Sequence, residues 1–254
     1  MGVAVVTGAS SGMGKQFAIE LSKRTDITQI WSIARKTEQL DELRAQCGEK
    51  IIPVECDLTN EADIEKYAAQ LEAQKPDVTL LINCAGFAKF GTYADIPLDT
   101  AVDMVNLDVI AIIKMTRLTL PFMKSSARII NIASTAAFQP LPGMNVYAAS
   151  KAFVLSYSQA LYCELKPREI SVTAVCPGWT KTNFNKVAES GTKNKEVTNF
   201  MFQTTPEFVV EKSLKAAQKR KPVCTPGAFP TVQRFFAKIL PVSWTISIWN
   251  KMRK

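Results

Sequence analysis

The sequence predicts an α/β fold: a doubly wound parallel sheet of about seven strands, with helices on both faces. Three observations lead there. Short apolar, β-rich runs alternate with helical segments from Val3 to Cys176. The runs are apolar almost throughout, as strands covered on both faces must be. A glycine-rich turn separates the first run from the first helix. Such alternation implies parallel strands joined by right-handed helical crossovers.

In chain order, the strand candidates are Val3–Thr7, Ile30–Ala34, Ile51–Cys56, Val78–Asn83, Arg128–Ala133 and Ser171–Cys176. The helical stretches include Gly14–Arg24, Glu38–Cys47, Glu61–Leu71, Leu98–Lys124 and Asn145–Leu165. Gly178–Gln203 breaks the pattern and ends in Phe200-Met201-Phe202. A long irregular segment of this kind reads as a lid or binding loop. Residues 1–228 are expected to form one catalytic domain, and residues 229–254 a basic amphipathic tail.

Composition narrows the chemistry. With 254 residues, 47 % of them hydrophobic, the chain can bury a sizeable core. It has no histidine. Ser-His-Asp triads, Cys-His dyads and His-ligated zinc are therefore excluded. The six cysteines form no C-x-x-C pair, so no metal site is expected, and they read as mostly buried free thiols. The first residues look like a strand and not a leader. No uncharged apolar stretch reaches the roughly 18 residues a membrane span needs. A cytoplasmic location is the expectation.

The first strand ends in Thr7-Gly8-Ala9-Ser10-Ser11-Gly12-Met13-Gly14. Glycines between a strand and a helix let backbone N–H groups approach a pyrophosphate at the helix N-terminus. About 20 residues further on, a carboxylate would bind the ribose 2′-OH of NAD. The second strand ends instead in Ala34-Arg35-Lys36. A guanidinium fork suits a 2′-phosphate, which favours NADP(H). Glu38, early in the next helix, is the residue that opposes this choice.

Tyr147 and Lys151 stand four apart and share a helix face. A nearby ammonium favours the phenolate, which makes a tyrosine an acid/base group without histidine. Ser134 follows the strand Arg128–Ala133, at the carboxyl end where open α/β sheets bind ligands. Read structurally, Ser134 is a turn residue and Lys151 a solvated helix charge.

With these motifs assembled, residues 1–225 resemble the short-chain dehydrogenase/reductase superfamily, whose domain is a Rossmann fold. Thr7–Gly14 is similar to its glycine loop, and Asp57, followed by Leu58, to its adenine-contacting aspartate. Asn83-Cys84-Ala85-Gly86 resembles its N-N-A-G motif, with Cys84 replacing the second asparagine. Asn106 in Val105-Asn106-Leu107 matches the helix asparagine of the catalytic tetrad. Pro177-Gly178-Trp179-Thr180-Lys181-Thr182 resembles P-G-x-x-x-T at the nicotinamide end. The resemblance implies a tetrad of Asn106, Ser134, Tyr147 and Lys151. Tyr147 would donate a proton, Ser134 would polarise the substrate oxygen, and Lys151 would lower the Tyr147 pKa and hold the nicotinamide ribose. Asn106 would hold a water leading to Lys151. Cofactor contacts are expected from Gly8, Ser10, Ser11, Gly12, Met13, Gly14, Arg35, Lys36, Asp57, Leu58, Asn83, Ala85, Gly86, Pro177, Gly178, Thr180 and Thr182, besides Tyr147 and Lys151.

The expected substrate wall is Ala136, Phe138, Leu141, Met144, Trp179 and Phe184. It is apolar and favours a hydrophobic ketone (steroid-like, fatty-acyl or xenobiotic) over a charged acid. Core packing is the competing reading for such side chains. The tail places Val232, Phe235, Phe236, Ile239 and Leu240 on one helical stripe, and Pro241 then interrupts. From Lys212 to Lys254 there are ten basic residues and no acidic one. The tail is similar to that of reductases related to 17-beta-hydroxysteroid dehydrogenases and long-chain 3-ketoacyl reductases. It either rests on anionic lipid, caps the substrate cleft, or packs on the fold or a second copy. The resemblance implies a dimer or tetramer built on the long helices. Two functions compete: an NADPH-dependent carbonyl reductase, and a non-catalytic module that senses NADP(H). Nucleic acid is not an expected partner, because the tail's aromatic spacing fits burial better than base stacking.

Overall fold

The computed structural model describes residues 2–190 and 196–253. Seven strands form one parallel sheet: β1 (Gly2–Thr7), β2 (Ile27–Ala34), β3 (Ile51–Glu55), β4 (Val78–Asn83), β5 (Arg128–Ile132), β6 (Ser171–Val175) and β7 (Val223–Cys224). Their order is β3-β2-β1-β4-β5-β6-β7. The chain winds outward from β1 to β3, then returns to place β4 on the other side of β1. That reversal opens a crevice at the carboxyl ends of β1 and β4.

Strand periodicity sends alternate β1 side chains to opposite faces. Val3 and Val5 join a core with Trp31, Tyr67, Met115 and Leu161. Ala4 and Val6 join another with Phe17, Leu21, Leu40 and Val210. The helices before the tail are α1 (Gly12–Ser22), α2 (Thr37–Cys47), α3 (Glu61–Gln74), α4 (Leu98–Val105), α5 (Ala111–Thr119), α6 (Asn145–Glu164), α7 (Phe184–Glu189) and α8 (Pro206–Gln218).

The structure departs from expectation in four places. The single helix expected over Leu98–Lys124 is divided into α4, a π turn at Asn106–Ile110, α5 and a 3-10 turn at Leu120–Phe122. Helix α8 and the short β7 were not foreseen. Thr205 caps α8 by accepting from the Phe208 N–H at 3.3 Å, and Pro206 opens its first turn. The segment Gly178–Gln203 contains α7, and Thr180 bridges Thr204 beside it. Residues 191–195 of that segment lie outside the described residues. All six cysteines are free, but only Cys56 and Cys176 are buried and Cys163 is exposed.

The tail forms α9 (Ala228–Ile239) and α10 (Val242–Met252), separated at Pro241 as expected. The expected boundary between residues 228 and 229 falls inside the first turn of α9. Among the described residues, no helix is long and apolar enough to cross a membrane.

Candidate active site

The glycine turn is built by close approach. Gly8 and Gly12 have φ of 68° and 53°, the left-handed region open to glycine. A Cβ on Gly14 would lie 2.1 Å from the Gly8 carbonyl oxygen, so the first turn of α1 folds directly onto the end of β1. Beside it, the buried Thr7 hydroxyl accepts from the backbone N–H groups of Cys84 and Ala85, at 2.9 and 3.1 Å. This ties the loop after β4 to the glycine turn across the crevice. Both belong to one cradle of the kind a pyrophosphate needs.

At the end of β2, Arg35 and Lys36 are exposed, and among the described residues neither joins an ion pair. Glu38 is exposed in the first turn of α2. The Asp57 carboxylate accepts from the Thr59 N–H and hydroxyl, at 2.9 and 2.7 Å. The Leu58 side chain packs in the core. Thr182 accepts from the Phe184 N–H, and its methyl group would be 3.5 Å from a Cβ on Gly12.

The chemistry-bearing residues meet below this cradle. Ser134 caps the 3-10 turn Thr135–Phe138 by accepting from the Ala136 N–H at 3.1 Å, and its hydroxyl lies near the Tyr147 phenol. Lys151 donates to the Ile132 carbonyl at 3.2 Å, and its ammonium lies 5.5 Å from the centre of the Tyr147 ring. Tyr147 and Lys151 are both buried. Burial holds the phenol above its ordinary pKa, a nearby carboxylate at Asp108 adds to this, and the nearby Ser134 hydroxyl opposes it. The expected lowering is therefore not what the protein alone produces. It leaves Tyr147 protonated at neutral pH.

Above these groups is a cavity of about 450 Å³ that runs from the glycine turn to the tail. Ala136, Leu141, Met144, Trp179 and Phe184 line it, together with Met13, Gly86, Thr180 and Thr182. Helices α9 and α10 supply the far wall through Phe229, Val232, Phe236, Ile248 and Trp249, with Leu240 from the link between them. The tail is pinned there. The Trp249 indole donates to the Pro142 carbonyl at 2.8 Å, and Arg253 pairs with Glu196 at 2.8 Å.

Residues 2–193 match the family described as short chain dehydrogenase. The chain belongs to this family. It is 33 % identical to a very-long-chain 3-oxoacyl-CoA reductase of Anas platyrhynchos, over 99 % of this chain and 80 % of that protein. It is 31 % identical to an NADP-dependent 3-hydroxy acid dehydrogenase of Schizosaccharomyces pombe, over 86 % of this chain and 88 % of that one. A solved short chain dehydrogenase from Burkholderia cenocepacia in complex with NADP superposes with a TM-score of 0.81, at 26 % identity over 98 % of this chain and 97 % of that chain. One from Sphingobium yanoikuyae in complex with NADPH superposes at 0.77, with 26 % identity over 95 % of this chain and 97 % of that one.

Three expected site residues of this short-chain dehydrogenase stand elsewhere. Asn106 is half-buried and, among the described residues, makes no hydrogen bond to Lys151. The side chain of this segment that faces Lys151 is Asp108, whose Oδ2 lies 3.5 Å from the Lys151 Nζ. Two residues along a helix turn a side chain by about 200°, so both positions cannot face α6. Phe138 points away from the cavity and packs with Ile112, Val154 and Cys176. Asn83 is buried beneath the site. Its amide donates to Asn131 at 2.8 Å and to Thr116 at 3.2 Å, and Asn131 continues to Ser158 at 2.9 Å. It braces β4, β5 and α6 and does not border the cavity. The expected lid residues Phe200–Phe202 also leave the cavity free. Phe200 packs on Trp179, and Phe202 stacks on Phe229.

The sequence did carry a sign of Asp108. Met104, Asp108, Ala111, Ile112 and Met115 fall on one helical stripe, and all are buried. A lone carboxylate on an apolar stripe needs a partner inside the protein.

Proposed function

We propose that this chain is an NADPH-dependent carbonyl reductase acting on a hydrophobic ketone. The observation that carries the reading is the convergence of the Tyr147 phenol, the Ser134 hydroxyl and the Lys151 ammonium at the floor of one apolar cavity that reaches the glycine turn.

The residues fit a nicotinamide dinucleotide. A Cβ on Gly14 would fill the turn, so the backbone there is stripped for close approach. Gly8–Gly14 would take the pyrophosphate, Asp57 the adenine end, and the unpaired Arg35 and Lys36 a 2′-phosphate. When bound, NADPH supplies the hydride that reaches the carbonyl carbon. Ser134 donates a hydrogen bond to the carbonyl oxygen and holds it beside Tyr147. Tyr147 gives its phenolic proton to that oxygen, which leaves a secondary alcohol. Lys151 stabilises the resulting phenolate until a proton returns from solvent. The apolar walls exclude water and favour a lipophilic ketone, fatty-acyl or steroid-like, and the names of the two sequence relatives support an acyl or hydroxy-acid skeleton. Measuring NADPH oxidation across a panel of short, long-chain and polycyclic ketones tests this. Activity rising with apolar size supports it, and no turnover with any of them rejects it.

The tail supports a peripheral contact with anionic lipid. Phe235, Ile239 and Trp244 are each about 60 % exposed beside the cavity wall, with Lys238 and Lys251 exposed among them. Such a face suits an interface rather than a span. Co-sedimentation with vesicles of phosphatidylcholine, with and without phosphatidylserine, decides it. Binding that needs phosphatidylserine and is lost in high salt supports the contact. A chain left in solution at low salt rejects it. Exposed Val102, Val105 and Ile110, with Phe153 on α6, support pairing of two copies through these helices. Light scattering tests this, and a monomeric mass excludes it.

A further inference from the structure

Asp108 has no role in the site as read from the sequence, yet the fold puts it at the centre. The π turn at Asn106–Ile110 carries it inward until it is fully buried. Its Oδ1 accepts from the Phe87 N–H at 3.0 Å. Among the described residues its Oδ2 has no hydrogen-bond partner, and it faces the Lys151 ammonium at 3.5 Å. Gly86 makes the approach possible: a Cβ there would lie 2.5 Å from the Asp108 Oδ1 and 3.2 Å from the Lys151 Nζ.

The neighbouring titratable groups are few. Lys151 and Tyr147 come from α6, Cys84 from the loop after β4, and Cys176 from the end of β6. Burial pushes both thiols up to about 12, so they are uncharged at neutral pH. Burial also raises the Asp108 pKa, and the Lys151 ammonium and the Phe87 N–H oppose that rise. At 3.5 Å, Asp108 and Lys151 are the pair left facing each other, and this contact favours the ionised form of both. An asparagine at position 108 would keep the Phe87 contact but bring no charge. The carboxylate therefore acts on Lys151.

We infer that Asp108 is a positioning residue that balances the Lys151 ammonium and keeps Tyr147 a phenol, which biases the site toward proton donation and carbonyl reduction. The bias rests on the reductase reading; the charge balance does not. An unbalanced ammonium beside a phenol favours the phenolate. A buried carboxylate 3.5 Å from the Lys151 Nζ opposes that field at Tyr147 and adds to the larger effect of burial on the phenol. A tyrosine with a higher pKa stays in the proton-donor form over a wider pH range, and takes a proton from an alcohol only at higher pH.

The test is Asp108→Asn, with Tyr147 ionisation read as phenolate absorbance against a Tyr147→Phe control, without cofactor or substrate. The expected result is Tyr147 ionising at lower pH than in the wild type, by about one pH unit or more. In turnover, the fall of ketone reduction and the rise of alcohol oxidation with pH should both move to lower pH, while KM for the ketone stays within about twofold. A purely structural role would lower kcat without moving these profiles. The double variant Asp108→Asn with Lys151→Met removes both charges and leaves neither buried unpaired. Its Tyr147 should ionise near the wild-type pH. An unmoved Tyr147 in Asp108→Asn overturns the inference. So does a double variant shifted well below the wild type, which stands as the test if the single variant does not fold. Ionisation is measured without turnover, so absence of ketone reduction would reject the reductase reading and leave this result standing.

Discussion

The Trp249 indole N–H reaches the Pro142 carbonyl at 2.8 Å and fastens the last helix to the rim of the cavity. Arg253 adds a bond to the same carbonyl at 3.2 Å and to Glu196 at 2.8 Å, and the Thr198 N–H reaches the Arg253 carbonyl at 2.8 Å. The tail is thus a wall of the cavity above Tyr147 and not only a solvated basic end. Truncation before Phe229 should raise KM for a long-chain or polycyclic ketone by about tenfold or more, because a large apolar wall is lost. The affinity for NADPH should hardly change. An unaltered KM for the large ketone would show that the tail does not shape the site.

Arg35 tests the cofactor choice. It is exposed and unpaired at the end of β2, where a 2′-phosphate would sit. Arg35→Ala should weaken NADPH by about 10- to 100-fold, the worth of a charge-assisted hydrogen-bonded contact, and leave NADH nearly unaffected. Calorimetric titration with both nucleotides gives the ratio. An equal loss for both would remove Arg35 from the 2′-phosphate site.

Thr7 tests the link between the two halves of the cradle. Its buried hydroxyl accepts two backbone N–H groups. Thr7→Val keeps the shape and leaves both donors unsatisfied, at a cost of about 1–3 kcal/mol. The lowered Tm should come with weaker dinucleotide binding, because the glycine turn loses its tie to the loop after β4. Stability equal to wild type would contradict this account.

Much of this was legible in the sequence for a physical reason. Strands buried on both faces cannot hide their apolar runs, and the glycines of Gly8–Gly14 announce a turn that side chains would block. Pro241 likewise announces the break between α9 and α10. The failures are matters of rotation. The short match Val105-Asn106-Leu107 cannot say which side chain of a helix faces inward, and a π turn shifts the rotation further. The motif thus points to Asn106, through a water, where the side chain that meets Lys151 directly is Asp108. Phe138 failed similarly, since an aromatic after a strand can enter a cavity or the core beneath it. The depth of Asn83 depends on elements distant in the chain, so local pattern did not reveal it, and for the tail the sequence offered a cap on the cleft as one of several placements without choosing among them.

The central claim is that Tyr147 donates the proton in carbonyl reduction. Tyr147→Phe removes one hydroxyl and keeps the ring that packs against Phe184. The most direct measurement compares NADPH affinity and turnover of a reducible hydrophobic ketone in this variant and the wild type. The account predicts an unchanged Kd for NADPH and a kcat lower by about 10²–10⁴, the contribution of a positioned general acid. Turnover within a few-fold of the wild type, with the cofactor bound normally, would contradict it.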